Sequence, residues 1–544
     1  MNQEIKTQNT SQGRVTTLSE HTVYQSDPLA VFHQLSANKN NNLLLESAEI
    51  DKKHQLKSLL LTDTAVKITC HGLKVSFEAL TGNGKNALKF VHSQLANCAS
   101  IEQSDSLLVA EFSPVSTQLD ERARLLAINP FQSLRLFNQL QNHSNHPFAV
   151  FLGGVFAFDM MAMSEQLPQV KDGENSCPDF VYYLAETLVV IDHEKQSTEV
   201  LGNVFAYQDD NVANSHQQIQ QRLTEIKNIL SKAYCATEIN KNNNTKAEKP
   251  SYNTDISDQG FCQIVDQLKE NIRAGDIFQV VPSRTFSLPC DDTLMAYKAL
   301  KQSNPSPYMF YLKDSDFCIF GASPESALKF QHHNRQVEVY PIAGTRPRGR
   351  DANGNISPDL DSRIELDLRL DKKELAEHIM LVDLARNDIA RVSEPGTRHV
   401  ADLLKVDRYS HVMHLVSRVC GTLDQELDAL HAYQACMNMG TLSGAPKVKA
   451  TSLIRQVEGK RRGSYGGAVG YITGEGEMDT CIVIRSAFVK DNVAQIQAGA
   501  GVVFDSDPQS ETDETTQKAQ AVISAISHAQ QCQLIINASN DHSA

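Results

Sequence analysis

The chain has 544 residues, beyond the roughly 250–300 at which one hydrophobic core stops growing, so two large units or one large interleaved unit are expected. Hydrophobic residues at 41% and charged residues at 21% exclude a disordered, collagen-like or disulfide-stapled chain. A formal charge of -14 repels nucleic acid and anionic membrane surfaces, so neither is an expected partner.

The N-terminal residues carry no apolar core of the kind a secretory signal needs, and they include acidic residues that transit peptides avoid. The apolar run at 148–158 is too short to span a bilayer and is broken by Gly153-Gly154. Eleven cysteines, scattered from Cys70 to Cys532 without a Cys-x-x-Cys pair, suggest neither a disulfide framework nor a zinc ribbon. A cytoplasmic location is expected.

Val66, Ile68 and Cys70, then Leu73, Val75, Phe77 and Ala79, alternate with polar residues around His71-Gly72, the period of a half-buried hairpin. Strands are predicted at 180–192 and 198–207, and Ile219, Leu223, Ile226 and Leu230 fall on one face of a helix. Residues 236–253 are polar and Asn-rich, so they predict a linker between an N-terminal unit at 16–235 and a C-terminal unit at 254–530. The second unit opens with a helix carrying Phe261, Ile264, Val265, Leu268 and Ile272, which Gly275 ends, and a strand is predicted at 277–288. Further strands at 308–312, 317–321 and 336–340 alternate irregularly with helices, the last of them at 511–530. This order predicts an α+β fold with large antiparallel sheets and flanking helices.

Nucleotide and hydrolase motifs fail on spacing. GTLSGAPK at 440–447 is not a Walker loop, and Gly499-Ala500-Gly501 lacks the third glycine of a dinucleotide fingerprint. His411-x-x-His414 has no accompanying zincin glutamate, and no Gly-x-Ser-x-Gly elbow occurs. Two acidic pairs remain, Glu374 with Glu377 and Glu511 with Glu514, each at i, i+3 in a predicted helix and so about 60° apart on its surface. Four such oxygen donors suit Mg²⁺. With 65 acidic residues in the chain, pairs at this spacing also arise as solvated helix faces, and the spacing leaves both readings open. The glycines of PIAGTR (341–346), GTLSGAPK and QAGAG (497–501) fit either a close approach of backbone N–H groups to an anion or ordinary turns.

Taken together, YMFYL (308–312), GASPES (321–326), PIAGTRPRG (341–349), ELAEHIMLVDLARNDIARV (374–392), GTLSGAPK, YGGAVGY (465–471) and QAGAGVVFDSDPQSETDET (497–515) resemble the chorismate-utilising enzymes. With LLLESAE (43–49), they resemble most closely the large-subunit (component I) family of anthranilate synthases.

That resemblance implies an active-site cleft in the C-terminal unit. It also implies Mg²⁺-dependent amination of chorismate by ammonia, then loss of pyruvate to give anthranilate, the first step of tryptophan biosynthesis. By resemblance, Glu377 and Glu514 are direct Mg²⁺ ligands and Glu374 and Glu511 support them. Arg485 and Tyr465 hold the enolpyruvyl carboxylate, with backbone donors at Gly499, Ala500 and Gly501 and with Lys518, Gln279, Gly344 and Thr345 also against substrate. Glu325 matches the proton donor, and His414 and Thr441 line the ring.

Relatives that make aminodeoxychorismate commonly carry a nucleophilic Lys where Ala343 stands, and isochorismate-forming relatives a Lys base where Gln279 stands. An aminodeoxychorismate synthase and a non-catalytic amino-acid-binding regulator are the alternatives. No Gly-x-Cys-x-Gly elbow is present, so the family's glutamine amidotransferase is expected as a separate small subunit, in a heterotetramer of two large and two small chains. Leu45, Glu46 and Ser47, with Asn304, Pro307, Tyr308 and Met309, resemble the two halves of an inhibitory L-tryptophan site.

Overall fold

The computed structural model describes residues 13–47, 56–241, 251–409, 412–530 and 532–538, apart from the single positions 37, 117, 143, 145 and 209. The hairpin predicted around Gly72 is formed by the strands Lys57–His71 and Lys74–Ala79, with Cys70 opposite Val75 and His71 opposite Lys74. Lys57–His71 also pairs antiparallel with Phe180–Asp192, which continues into Ser197–Tyr207 and then Gly13–Thr22. Phe180–Asp192 is buried on both faces, with Phe180, Tyr182 and Leu184 in one apolar cluster and Val181, Tyr183 and Ala185 in another, which fits its near-continuous apolar run.

The strands on either side of 236–253 belong to one network of 23 strands, antiparallel except where Gly13–Thr22 meets Gln141–Asn142. Asn42–Glu46 pairs with Tyr308–Lys313, Met309 lying opposite Glu46, and Phe151–Phe156 pairs with Ala468–Thr473, Gly154 lying opposite Gly470. A fully buried apolar cluster crosses both joints: Leu43, Leu61, Phe151 and Tyr183 pack with Phe310, Leu312, Val469 and Phe488. Each such side chain contributes about 1.5–3 kcal/mol when removed from water, so separating the two halves would expose a large part of the core. The ends of the expected linker are also structured. Tyr234–Lys241 pairs with Cys532–Ala538, Asn253–Thr254 pairs with Ser283–Pro289, and 242–250 lie outside the described residues.

Three helices position the site. Asp258–Arg273 starts at the Ser257 cap, as the 3.6-residue spacing predicts. Lys372–Ala390 is capped by Asp371, whose carboxylate accepts from the N–H groups of Lys373 and Glu374. Pro508–Ala529 begins three residues before the predicted start, because Asp507 caps it and Pro508 occupies its first position. Its Ala519, Val522, Ile523 and Ile526 pack on Met295, Ala296 and Leu300 of helix Thr293–Ser303.

The single strand predicted at 277–288 is instead two, Gln279–Val280 and Ser283–Pro289. Pro282 lies between them with no N–H for a ladder, and its carbonyl accepts from Ala500 N–H at 3.2 Å. No helix among the described residues is long and apolar enough to cross a membrane.

Candidate active site

The fold gathers the predicted acidic pairs from two helices that are far apart in sequence. Glu374 and Glu377 lie on the first turns of Lys372–Ala390, Glu511 and Glu514 on those of Pro508–Ala529, and all four line one cavity of about 870 Å³. Burial, then repulsion from Glu374 and Glu514, raises the Glu377 carboxyl to about 7 against the partial relief of Lys373. Burial likewise pushes Glu511 up, with Glu514 adding to the shift. Glu514 goes the other way: burial opposes ionisation, but Lys518 at 2.7 Å and Arg485 hold it in the charged form.

The cations nearby serve this cluster unevenly. Arg346 pairs with Glu374 at 2.8 Å and with Asp371 at 2.7 Å, so Glu374 has a resident counter-charge. Lys373 stands 3.8 Å from Glu377 and 4.0 Å from Glu511, at the outer limit of an ion pair. Neither Arg346 nor Lys373 was marked by the sequence pattern, since a lone basic residue next to acidic ones reads as surface pairing. Among the described residues no three His, Cys, Asp or Glu side chains close into a metal cage of their own. That donor set fits Mg²⁺, which takes one or two carboxylates and completes its shell with water and substrate oxygens.

Opposite charge lines another part of the cavity. Arg485 adopts φ +49°, and its guanidinium makes no hydrogen bond or ion pair among the described residues. Burial lowers its pKa, against the opposing fields of Tyr465, Glu514 and Glu325, but an arginine starts so high that it stays cationic, a buried charge without a direct ion pair that an anion would satisfy. Tyr465 is raised to about 12 by burial and stays a neutral hydrogen-bond donor. Gly499 must be glycine here, because a Cβ would lie 2.7 Å from the Pro282 carbonyl and 3.1 Å from the Tyr465 hydroxyl. Its carbonyl accepts from Lys518 Nζ at 2.9 Å.

Glu325 follows strand Cys318–Ser323 and is 6% exposed. Burial raises its carboxyl to about 8, although the Thr441 hydroxyl donates to its Oε1 at 2.9 Å. It therefore holds a proton at neutral pH. His414, on strand Val412–Thr422, shares a hydrogen bond of 2.8 Å between its Nδ1 and Thr345 Oγ1. Burial, then the field of Arg485, lowers its pKa to about 4, so the imidazole is neutral and able to accept a proton. Gly344 lets the chain turn beside it at φ +86°, with Glu374 Oε2 only 3.3 Å from where a Cβ would sit.

A residue the sequence pattern did not mark fixes this segment. His378 is fully buried and bonds the Ala343 carbonyl at 3.1 Å and Ser417 Oγ at 2.7 Å, tying helix Lys372–Ala390 to the sheet. The Ala343 side chain and Gln279 complete the lining, and Gln279 Oε1 is buried without a hydrogen-bond partner.

One expected placement changes. Ala500 does not line the cavity: its side chain is fully buried and its N–H is spent on Pro282. Of the two halves resembling an inhibitor site, Asn304 and Pro307 line the cavity, while Leu45, Glu46, Ser47, Tyr308 and Met309 lie beside it. These halves do meet, through the pairing of Glu46 with Met309 and a 2.7 Å hydrogen bond from Ser47 Oγ to the Pro307 carbonyl. The Glu46 carboxylate is committed internally, to the Tyr297 hydroxyl and to Lys301 at 2.6 Å. His411 lies outside the described residues.

The profile of the chorismate binding enzyme family matches residues 98–524. Anthranilate synthase component 1 of Vibrio cholerae is 56% identical over 517 residues, covering 93% of this chain and 95% of that protein. The chain belongs to the anthranilate synthase component 1 family. The Escherichia coli member is 55% identical over 511 residues, covering 94% of this chain and 96% of its own. Among solved structures, anthranilate synthase component I from Streptococcus pneumoniae superposes with a TM-score of 0.63 at 26% identity, covering 93% of this chain and 99% of that one. The menaquinone-specific isochorismate synthase MenF of Escherichia coli reaches the same TM-score, 0.63, at 16% identity, a likeness of fold. The fold shared with these structures is, in this chain, a large antiparallel sheet with flanking helices.

Proposed function

We propose that the chain converts chorismate and ammonia to anthranilate, pyruvate and water. The observation that carries this reading is the charge layout of one cavity: a carboxylate cluster short of cations, an Arg485 without an ion pair, and a proton-holding Glu325 all line it. A dianion with two carboxylates separated by a ring fits such a layout. Glu377 and Glu514 would hold Mg²⁺, with Glu374 and Glu511 in support, and the ion when bound would fix the ring carboxylate and draw charge from the ring.

Arg485 and Tyr465 grip the enolpyruvyl carboxylate, a planar fork on a planar anion. Ammonia bonds to C2 as the 4-hydroxyl departs, and Glu325 gives that oxygen its proton so that it leaves as water. The orphaned Gln279 Oε1 can accept a hydrogen bond from ammonia and so orient it, without taking a proton from it as a Lys base would. In the second half the C2 proton is removed, the bond from C3 to the enolpyruvyl oxygen breaks, and pyruvate departs as the ring becomes aromatic. Neutral His414, held by Thr345, serves this elimination, and Thr441 orients Glu325. With Ala343 in place of a nucleophile, no covalent attachment to the ring competes.

The 254–530 segment carries this chemistry and 16–235 joins it in a tryptophan site. A glutamine amidotransferase small subunit supplies the ammonia in a cytoplasmic heterotetramer, and L-tryptophan is the feedback inhibitor. The test is a fluorescence assay for anthranilate with chorismate, ammonium chloride and MgCl₂. Formation of anthranilate and pyruvate in equal amounts supports the reading; an aminated product that keeps its enolpyruvyl group overturns it.

A further inference from the structure

A second, much smaller cavity lies against the first. Its volume of about 20 Å³ holds one molecule the size of water or ammonia and excludes chorismate. It shares Glu325, Leu381 and Thr441 with the large cavity, and the hydrogen bond of 2.9 Å from Thr441 to Glu325 lies on that common wall. The rest of its lining is mostly apolar, with Val339, Leu384, Ala385 and Met439 prominent. Leu384 and Gly440 are partly exposed, whereas Leu381, Ala385 and Glu325 are buried, so the small cavity leads inward from the surface to Glu325. Its one ionic group, Asp388, is neutralised by Lys447 at 2.7 Å.

We propose that ammonia reaches the ring through this small cavity, passing Leu384 and Ala385 and entering the active site at the Glu325–Thr441 pair. The inference rests on the proposed amination of chorismate. Its physical basis is selection by size and by charge. Only neutral ammonia has the lone pair that bonds to C2, and an apolar passage one molecule wide admits the neutral form while the ammonium ion would lose its hydration there. The passage ends at groups that can exchange hydrogen bonds with an amine, the Thr441 hydroxyl and the Glu325 carboxyl.

The experiment uses the full chain with chorismate, MgCl₂ and ammonium chloride as the amine. Leu384→Phe and Ala385→Val each enlarge a side chain in the passage, and Leu384→Ala is the control that widens it. The expected result is a KM for ammonium raised at least fivefold in both enlarged variants, with the KM for chorismate within twofold of the parent and no rise in Leu384→Ala. An unchanged ammonium KM in both enlarged variants overturns the passage, as does a parallel rise of both KM values, which would report general distortion of the site. A parent chain that makes no anthranilate from ammonium refutes the underlying amination instead, so the two failures are told apart.

Discussion

The proposed role of Glu325 is acid chemistry at neutral pH, and burial is what would let it serve. Its carboxyl sits at about 8 in the folded chain against an ordinary 4.5, so between those values the folded protein binds a proton that the unfolded chain has released. Stability from this group is therefore greatest below about pH 4.5 and declines as pH rises toward 8. Glu325→Gln keeps an oxygen for Thr441 but has no acidic proton. It is expected to lose about 10²–10⁴-fold in turnover and to flatten the decline in unfolding midpoint between pH 5 and pH 8. In the parent, kcat is expected to fall as pH passes about 8. A Gln variant that turns over normally would remove Glu325 from the mechanism. A second expectation concerns His414→Ala: the aminated, non-aromatic intermediate accumulates while chorismate is still consumed, as followed by chromatography of the reaction mixture. A block of chorismate consumption itself would contradict the division of labour.

At the scale of elements, the two acidic helices are held in register by groups outside the cavity. Arg284 on Ser283–Pro289 is 1% exposed and donates to Thr515 Oγ1 at 2.7 Å, Thr516 Oγ1 at 3.0 Å and the Thr512 carbonyl at 3.1 Å, all on helix Pro508–Ala529. Arg284→Met strands these acceptors, so a loss of about 1–3 kcal/mol of stability and a weaker apparent affinity for Mg²⁺ are expected, read by denaturant unfolding and titration calorimetry. Glu377→Gln and Glu514→Gln are expected to abolish Mg²⁺ binding and turnover with the fold intact. Glu377→Gln should also unfold at a higher temperature above pH 7, because it removes a charge that the folded state holds with difficulty. Near-normal activity in both Gln variants would remove the metal assignment.

The same helices show what the sequence discloses. The i, i+3 glutamate pairs are a local pattern and are read from the sequence; the Asp371 and Asp507 caps are local too, but were not marked, and the last helix accordingly starts three residues early. That the two pairs face one cavity is a tertiary fact, carried by Arg284 and His378, whose partners lie 231 and 39 residues away. The break at Pro282 was missed, although a proline without an N–H is its local signal. That Ala500 turns from the cavity to cap it follows only from the strand register.

For the whole molecule, the informative feature is that the N-terminal and C-terminal halves share strands beside the catalytic cavity. Ser47 bonds the Pro307 carbonyl at 2.7 Å, and Pro307 and Asn304 lie on the cavity wall, so a ligand that gripped both halves would report directly on the site. Such a ligand inhibits only by binding one arrangement of the halves more tightly than another. If that ligand is L-tryptophan, its amino-acid head needs polar partners at the strand ends and its indole needs an apolar bed. Glu46 is already bound to Tyr297 and Lys301, and releasing it is the rearrangement such binding would couple to. The chain contains no tryptophan, so added L-tryptophan is the sole indole in solution and its binding can be followed without background. Saturable binding is expected, with inhibition that competes at least in part with chorismate. Ser47→Phe fills the junction and Pro307→Ser loosens the segment that carries the accepting carbonyl, so both are expected to lose binding and inhibition while uninhibited turnover persists. Full sensitivity to tryptophan in both variants would place the inhibitor elsewhere, and a parent protein that binds none would end the feedback proposal.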